Sequence, residues 1–162
     1  MLEFKIVKIE SLENRSVIVG QSHFIKTVED IYEALMASVP NIKFGIGFCE
    51  SSGPCLVRHE GNDDELRKLA TEKAFEISCG HCFIIFMKNA YPINVLDKIK
   101  KISELCTVYA ATGNPLEIIV VETEQGRGIL GVVDGLKSKG IETESNIKER
   151  KDFLRKIGYK LG

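Results

Sequence analysis

Between Ile118 and Gly135 the chain has room for little but two strands and the loop joining them. Ile118-Ile-Val-Val121 is an apolar run with the pattern of a strand buried on both faces. The stretch after it, Glu122-Thr-Glu-Gln-Gly-Arg-Gly-Ile-Leu-Gly-Val-Val-Asp-Gly135, holds glycines at 126, 128 and 131, the spacing of a dinucleotide-binding turn. That fingerprint requires its glycines to open a helix whose N-terminus faces the pyrophosphate. Ile129 to Gly135 is β-branched, glycine-broken and poor helix material. The dinucleotide fold is therefore set aside for strand, loop, strand, with Asp134-Gly135 ending the second strand.

The loop carries more chemistry than a turn requires. Two carboxylates, an amide and a guanidinium emerge at the end of a stiff element, where binding loops sit. Gly126 and Gly128 flank Arg127, so backbone N–H groups can approach an anion while the guanidinium offers a fork of donors. Glu122, Glu124, Gln125, Gly126, Arg127 and Gly128 are the candidate contacts. A P-loop is absent, so the usual triphosphate cradle is missing. Lys26 and Arg58 are further candidate anion contacts.

A chain of 162 residues, 44% hydrophobic, suits one domain spanning 1–162. Its 22 basic and 23 acidic residues leave a net charge of −1, which gives no footprint for nucleic acid or an anionic membrane. No apolar run approaches membrane-spanning length, and Met1-Leu-Glu-Phe-Lys5 alternates instead of forming a signal-peptide core. The expectation is a soluble, cytoplasmic protein. Five cysteines, an odd number in a domain of this size, point to free thiols in a reducing compartment.

In order, strand patterns at Leu2 to Ile9 and Ser16 to Gly20 suggest a hairpin across the turn-like Glu13-Asn14-Arg15. Thr27-Val-Glu-Asp30 resembles a capping box for a helix carrying Ile31, Leu35 and Val39 and closed by Pro40. Ile42 to Phe48 alternates apolar residues with Gly45 and Gly47, so something is expected to approach the glycine face closely. Cys55 to His59 reads as a short strand, Gly61-Asn-Asp-Asp64 as turn and N-cap, and Glu65 to Ser78 as a helix ended by a left-handed Gly80. Phe83 to Met87 has the pattern of a central strand, Pro92 opens a helix through Leu105, and Thr107 to Ala111 is another strand. Asn146 to Ile157 reads as a C-terminal helix. The class expected is α/β or α+β: one domain, a mixed β-sheet with a right-handed crossover, three helices and the C-terminal helix.

Cys79-Gly-His-Cys82 matches a redox dithiol, but it follows a helix and precedes a strand, the reverse of the order that stabilises a thiolate. A zinc set of Cys55, His59, Cys79 and Cys82 has suitable ligand types at irregular spacing, and core thiols are the simpler reading. His59 reads as a surface side chain. His23 precedes a helix, where it binds an anion or caps a turn. His81 sits at a helix-to-strand corner, which holds it rigidly.

Several ordered blocks resemble the archaeal and bacterial adenosine-specific kinase family. They are Gly20-Gln-Ser-His-Phe-Ile-Lys-Thr-Val-Glu-Asp30, Lys43-Phe-Gly-Ile-Gly-Phe-Cys-Glu50, Leu56-Val-Arg58 with Gly61-Asn-Asp63, Gly80-His81, Pro92-Ile-Asn-Val-Leu96, Asn114-Pro115 and the Glu122 to Gly135 loop. The likeness covers about residues 1–136 and leaves 137–162 as an extension. It implies a compact α/β domain that self-associates, as a trimer, binds adenosine or AMP, and uses histidine in phosphoryl transfer. His81, then His23, would carry or contact the phosphoryl group, with Glu124 a third candidate for catalysis and Asn114 among the substrate contacts. Glu122 or Glu124 would accept a ribose hydroxyl, orient a histidine or hold a metal ion such as Mg²⁺; the donor would be ATP or another phosphoryl compound. No protein metal site is expected. The alternative function is a nucleotide-binding sensor that holds AMP without catalysis, with a redox or zinc role behind it.

Overall fold

The computed structural model describes residues 1–10 and 13–162. The described residues form β1 (Glu3–Ile9), β2 (Ser16–Ser22), α1 (Thr27–Met36), β3 (Lys43–Cys49), β4 (Val57–Gly61), α2 (Asp64–Ile77), β5 (Cys82–Lys88), α3 (Pro92–Lys100), β6 (Leu105–Thr112), β7 (Leu116–Glu122), β8 (Arg127–Asp134) and α4 (Glu144–Lys156). The α/β single domain and its four helices match expectation. The sheet does not: there are two, ordered β4-β3-β5-β2-β6 and β1-β7-β8, and every described pairing is antiparallel. No parallel pair exists among them for a crossover to join. The β1–β2 hairpin is likewise replaced by longer-range pairing, with Val7 opposite Ile118 in one sheet and Ile18 opposite Ile85 in the other.

The layers follow from side-chain alternation. β5 lies at the centre of the larger sheet and is buried along nearly its whole length, as a central strand should be. Phe83, Ile85 and Met87 join Phe44, Ile46 and Phe48 of β3 under α1 and α3, with Ile31, Leu35, Val95 and Ile99 from the helices. Cys82, Ile84 and Phe86 point the other way, onto α2 and the inner row of the small sheet, Val7, Ile9, Leu116, Ile118 and Val120. The small sheet therefore buries one face only. Ile119 and Val121 are half-buried, so Ile118–Val121 alternates rather than lying buried on both faces.

The glycine face of β3 meets helix α2. A Cβ on Gly45 would lie 2.2 Å from the Leu66 carbonyl carbon, and one on Gly47 would lie 2.3 Å from the Ala70 oxygen. Glycine on the strand and alanine at 70 and 74 on the helix let the two backbones approach closely. Asp63 caps α2 as expected, its carboxylate accepting from the Leu66 N–H at 3.0 Å. At the other end the left-handed residue is Ser78 (φ 53°), not Gly80, and His81 is left-handed as well (φ 61°).

Thr27 is not the N-cap of α1. That position is Lys26, and the Thr27 hydroxyl instead donates to the Phe24 carbonyl at 2.5 Å and sits 2.8 Å from Ser22 Oγ. α1 ends at Met36, before Val39 and Pro40, and α3 ends at Lys100, before Leu105. Among the described residues, no helix is long and apolar enough to cross a membrane.

Candidate functional site

Three chain segments converge on one cavity. They are the β7–β8 turn, the connection after β3, and the corner between α2 and β5. The cavity has a volume of about 510 Å³ and is lined by Glu50, Ser51, Leu56, Phe75, Ser78, Gly80, Thr123, Gln125, Gly126, Arg127 and Gly128, among others. Of the residues expected at a site, Gln125, Gly126, Arg127 and Gly128 line it directly.

The turn is braced from within. Thr123 Oγ1 accepts from the N–H groups of Gln125 and Gly126, at 3.2 and 3.3 Å, and the Thr123 N–H donates to the Gly126 carbonyl at 2.8 Å. Of the backbone donors expected to reach an anion, the Gly126 N–H is thus folded back onto Thr123, with that of Gln125. Arg127 donates to the Glu76 carbonyl at 3.2 Å and pairs with Glu122 at 3.1 Å. A guanidinium has five N–H donors, so these two anchors fix its plane and leave others for a ligand. Glu122 is also paired with Lys5; the Lys5 hydrogen bond first, then Arg127, hold its carboxyl below the usual carboxylate value. Its place is that of the counter-ion that orients Arg127.

The corner brings both candidate histidines together. The His81 N–H donates to the Cys49 carbonyl at 2.8 Å, and its own carbonyl accepts from the Ser22 N–H at 3.0 Å, which fastens the left-handed residue between β3 and β2. Its Nε2 lies 2.8 Å from Ser51 Oγ. The His23 ring stands edge-on to it with centroids 6.1 Å apart, and Phe48 lies at 6.0 Å. Gly80 makes this possible, because a Cβ there would meet Ser51 Cβ at 2.9 Å. Gln21 Nε2 donates to the Gly80 carbonyl at 3.1 Å and holds the corner from below. His81 thus borders the cavity through Ser51 and Gly80. His59 is a surface residue, as read, accepting from Arg67 Nε at 2.8 Å.

Other candidates lie apart. Lys26 bridges Asp30 at 2.6 Å and Glu104 at 2.9 Å, and with Arg58 lines a more open cleft that shares Leu56 and Val57 with the main cavity. Arg58 is turned to Glu50 at 3.1 Å; the Leu56 N–H first, and then Arg58, hold the Glu50 carboxyl down. Glu124 lies on the outer side of the turn, beside Met1 and Leu2. Asn114 packs on Gly135 at the opposite end of β7, about 20 Å of strand from the turn, so the structure does not bring it to this cavity.

Sequence reasoning missed Ser51, Phe75, Ser78 and Thr123. Ser51 stands in Ser51-Ser-Gly-Pro54, a turn sequence that marks no chemistry by itself. Phe75 is a large exposed aromatic on α2, a hint that its helical position off the apolar stripe could have supplied.

Cys49, Cys79 and Cys82 are buried free thiols. Burial pushes Cys49 up to about 12 and Cys79 up to about 11, and raises Cys82 as well. At neutral pH they are protonated core side chains with little thiolate for exchange. Among the described residues, no three of His, Cys, Asp and Glu gather as metal ligands, and Cys55 of the considered zinc set is exposed.

Fold and cavity together define a small, layered α/β domain with an arginine-lined pocket, bordered by His81 through Ser51 and Gly80. The chain belongs to the adenosine specific kinase family: that family's model matches residues 7–160. The match runs through most of the segment 137–162, so the tail is part of the family pattern, not an extension beyond it. Membership supports an adenosine-related, kinase-like function. Among solved structures, the PH1918 protein from Pyrococcus horikoshii OT3 is similar at 48% identity, with complete coverage of both chains (100% of each) and a TM-score of 0.95. None of the curated proteins compared with the chain matches it.

Proposed function

We propose that this chain is a cytoplasmic phosphotransferase whose cavity takes adenosine or AMP, with His81 carrying or contacting the phosphoryl group. The observation that most supports the reading is the convergence at the corner: two histidines from separate segments, 6.1 Å apart, beside a cavity that Arg127 lines. Phe75 and Leu56 offer the apolar wall for a purine, Ser78 and Gln125 offer polar contacts for ribose, and Arg127 offers a charge-assisted contact to phosphate.

The proposed chemistry follows from the Ser51 contact. With the Nε2–H donating to Ser51 Oγ, Nδ1 presents its lone pair. Nδ1 attacks the γ-phosphorus of ATP; an N–P bond forms, the bridging P–O bond breaks, and its electron pair leaves on ADP. A hydroxyl oxygen of adenosine then attacks the phosphorus, the N–P pair returns to Nδ1, and the hydroxyl proton passes to His23. Glu50 and Glu122 already face Arg58, Lys5 and Arg127, so Mg²⁺ would arrive on the donor's phosphates. The homo-oligomer that the family resemblance implies, a trimer, fits a small sheet with one open apolar face.

Intact-mass measurement after incubation with ATP tests this, together with isotope transfer from ATP to adenosine. An acid-labile phosphate that vanishes in His81→Asn and survives in His59→Asn is the expected result. A label lost in His23→Asn and kept in His81→Asn moves the role to His23. Tight AMP binding with neither label nor transfer would make the protein a nucleotide sensor.

A further inference from the structure

We propose that the C-terminal helix α4 is an exchange arm, and that its apolar side docks on the outer face of the β1–β7–β8 sheet of a second copy of this chain. The argument starts from the helix. α4 has 13 residues and buries none of them, and the segment from Leu136 to Thr143 that leads to it is exposed throughout. A lone helix shorter than about 12–15 residues is marginal in water. A capping box at Thr143 and Asn146 and a Lys148–Asp152 pair support α4, but such local terms contribute only a few tenths to about 1 kcal/mol each. Ile147 and Leu154 lie seven apart, Phe153 and Ile157 four apart, so the helix presents an apolar side. Ile147 and Leu154 are half-buried, whereas Phe153 and Ile157 are 58% and 44% exposed.

The same chain carries a matching surface. On the outer face of the small sheet Phe4 stands opposite Val121 and Ile6 opposite Ile119, with Phe4 68% and Ile6 56% exposed. Gly131 pairs beside Ile119, and a side chain there would meet nothing within 4 Å, so the face is a shallow trough. Seven-residue strands span about 23 Å and a 13-residue helix about 20 Å, so the two surfaces match in length. Exchange would use both surfaces of each copy, so that every arm and every face in the assembly is covered.

The arm is also not particular to this chain. The PH1918 structure superposes over its full length with a TM-score of 0.95, and a segment of 26 residues lying elsewhere would pull that score well down. Both copies carry arm and face at equal concentration, which makes a second copy the fitting occupant. The Phe4–Val121 row lies next to the β7–β8 turn, so the docked helix would border the turn that lines the cavity.

Two full-length double variants test the arrangement: Phe153→Glu with Ile157→Glu on the arm, and Phe4→Glu with Ile6→Glu on the face. Light scattering at micromolar concentration should give a multimer for the unsubstituted chain and a monomer for each variant alone. Mixing the two variants should restore association, since one intact arm meets one intact face. A monomeric unsubstituted chain, a multimer from either variant alone, or a mixture that stays monomeric would overturn the proposal. Hydrogen exchange on the unsubstituted chain is independent of how the variants fold. α4 amides should be protected at high concentration and lose protection on dilution; exchange at free-helix rates at every concentration also overturns it.

Discussion

The two sheets of this domain are built to different standards, and the difference separates stability from function. The five-stranded sheet is covered on both faces, by α1 and α3 on one side and by α2 with the small sheet on the other. Its glycines at 45 and 47 are places where another backbone must fit. The three-stranded sheet is covered on one face, its glycines at 126 and 131 look onto open space, and one end of it carries the cavity-lining turn. The first sheet is constrained from every side. The second leaves surface for ligands and partners.

The largest effect expected from this contrast comes from giving one glycine in each sheet a side chain. Gly47→Val drives a branched side chain into the Ala70 carbonyl, a backbone atom that cannot rotate away, and should cost about 3 kcal/mol or more. Gly131→Ala meets nothing and should stay within about 0.5 kcal/mol of the parent, with any change on the stabilising side. Urea unfolding measures both. Equal losses would mean that the two sheets are equally tightly constrained.

A second contrast is in pH. Cys49 and Cys79 lie in the core between the layers, and burial raises both thiols. A thiol raised in the folded state contributes stability that is whole below the unfolded value near 9 and is lost as pH climbs through the folded value. Stability should therefore fall between pH 9 and about 11 to 12. Cys49→Val should flatten that limb in urea midpoints taken from pH 8 to 11; an unchanged alkaline slope would assign it to other groups. Exposed Cys55 and Cys106 should react with a thiol reagent at pH 8, while the buried three wait for unfolding.

What the sequence made legible follows the same division. β5, the Asp63 cap and the glycine face of β3 could be read because each is encoded in neighbouring residues: an apolar run, a side chain three positions before the N–H it accepts from, a period of two. The β1–β2 hairpin was misread because alternation in Glu3–Ile9 marks a strand without naming its partner, which is β7. Thr27 was misread because Ser22 and Phe24 take its hydroxyl, and neither is visible as a competitor in a capping pattern. At the cavity, Arg127 stood out by chemistry and His81 by position. Ser51, Ser78 and Phe75 are ordinary residues that only the folded chain brings into one place.

Arg127→Ala sharpens the functional side of the comparison. It removes a donor from the cavity wall and leaves both cores untouched, so the melting temperature should hardly move. AMP binding should weaken by about 1.5–3 kcal/mol, the range of a hydrogen bond to a charged group, while adenosine, without a phosphate, should lose much less. Isothermal titration with the two ligands reads the difference directly. Equal loss for both would put Arg127 against the nucleoside instead.

The smallest effect should come from Glu122, and it tests whether the small sheet tunes its ligand contact without adding stability. Glu122 faces Lys5 and Arg127 at the strand end, and its carboxyl is held below the ordinary value, first by the Lys5 hydrogen bond and then by Arg127. A carboxylate lowered in the folded state contributes stability that is present above its unfolded value and lost as pH falls through the folded one. For an exposed pair of this kind the stability effect is small. Its consequence for Arg127 is larger, because Glu122 is one of the two anchors of the guanidinium; the other is the Glu76 carbonyl. Glu122→Gln keeps the shape and removes the charge, so Arg127 keeps one anchor and gains freedom. AMP affinity should drop about three-fold to ten-fold, with the melting temperature hardly moved. The parent protein should show the same loss of affinity in acid, below the ordinary carboxylate value, and the Gln variant should show none of that step. A variant that binds AMP as tightly as the parent while melting several degrees lower would reverse the assignment and make Glu122 a clasp between β1, β7 and β8.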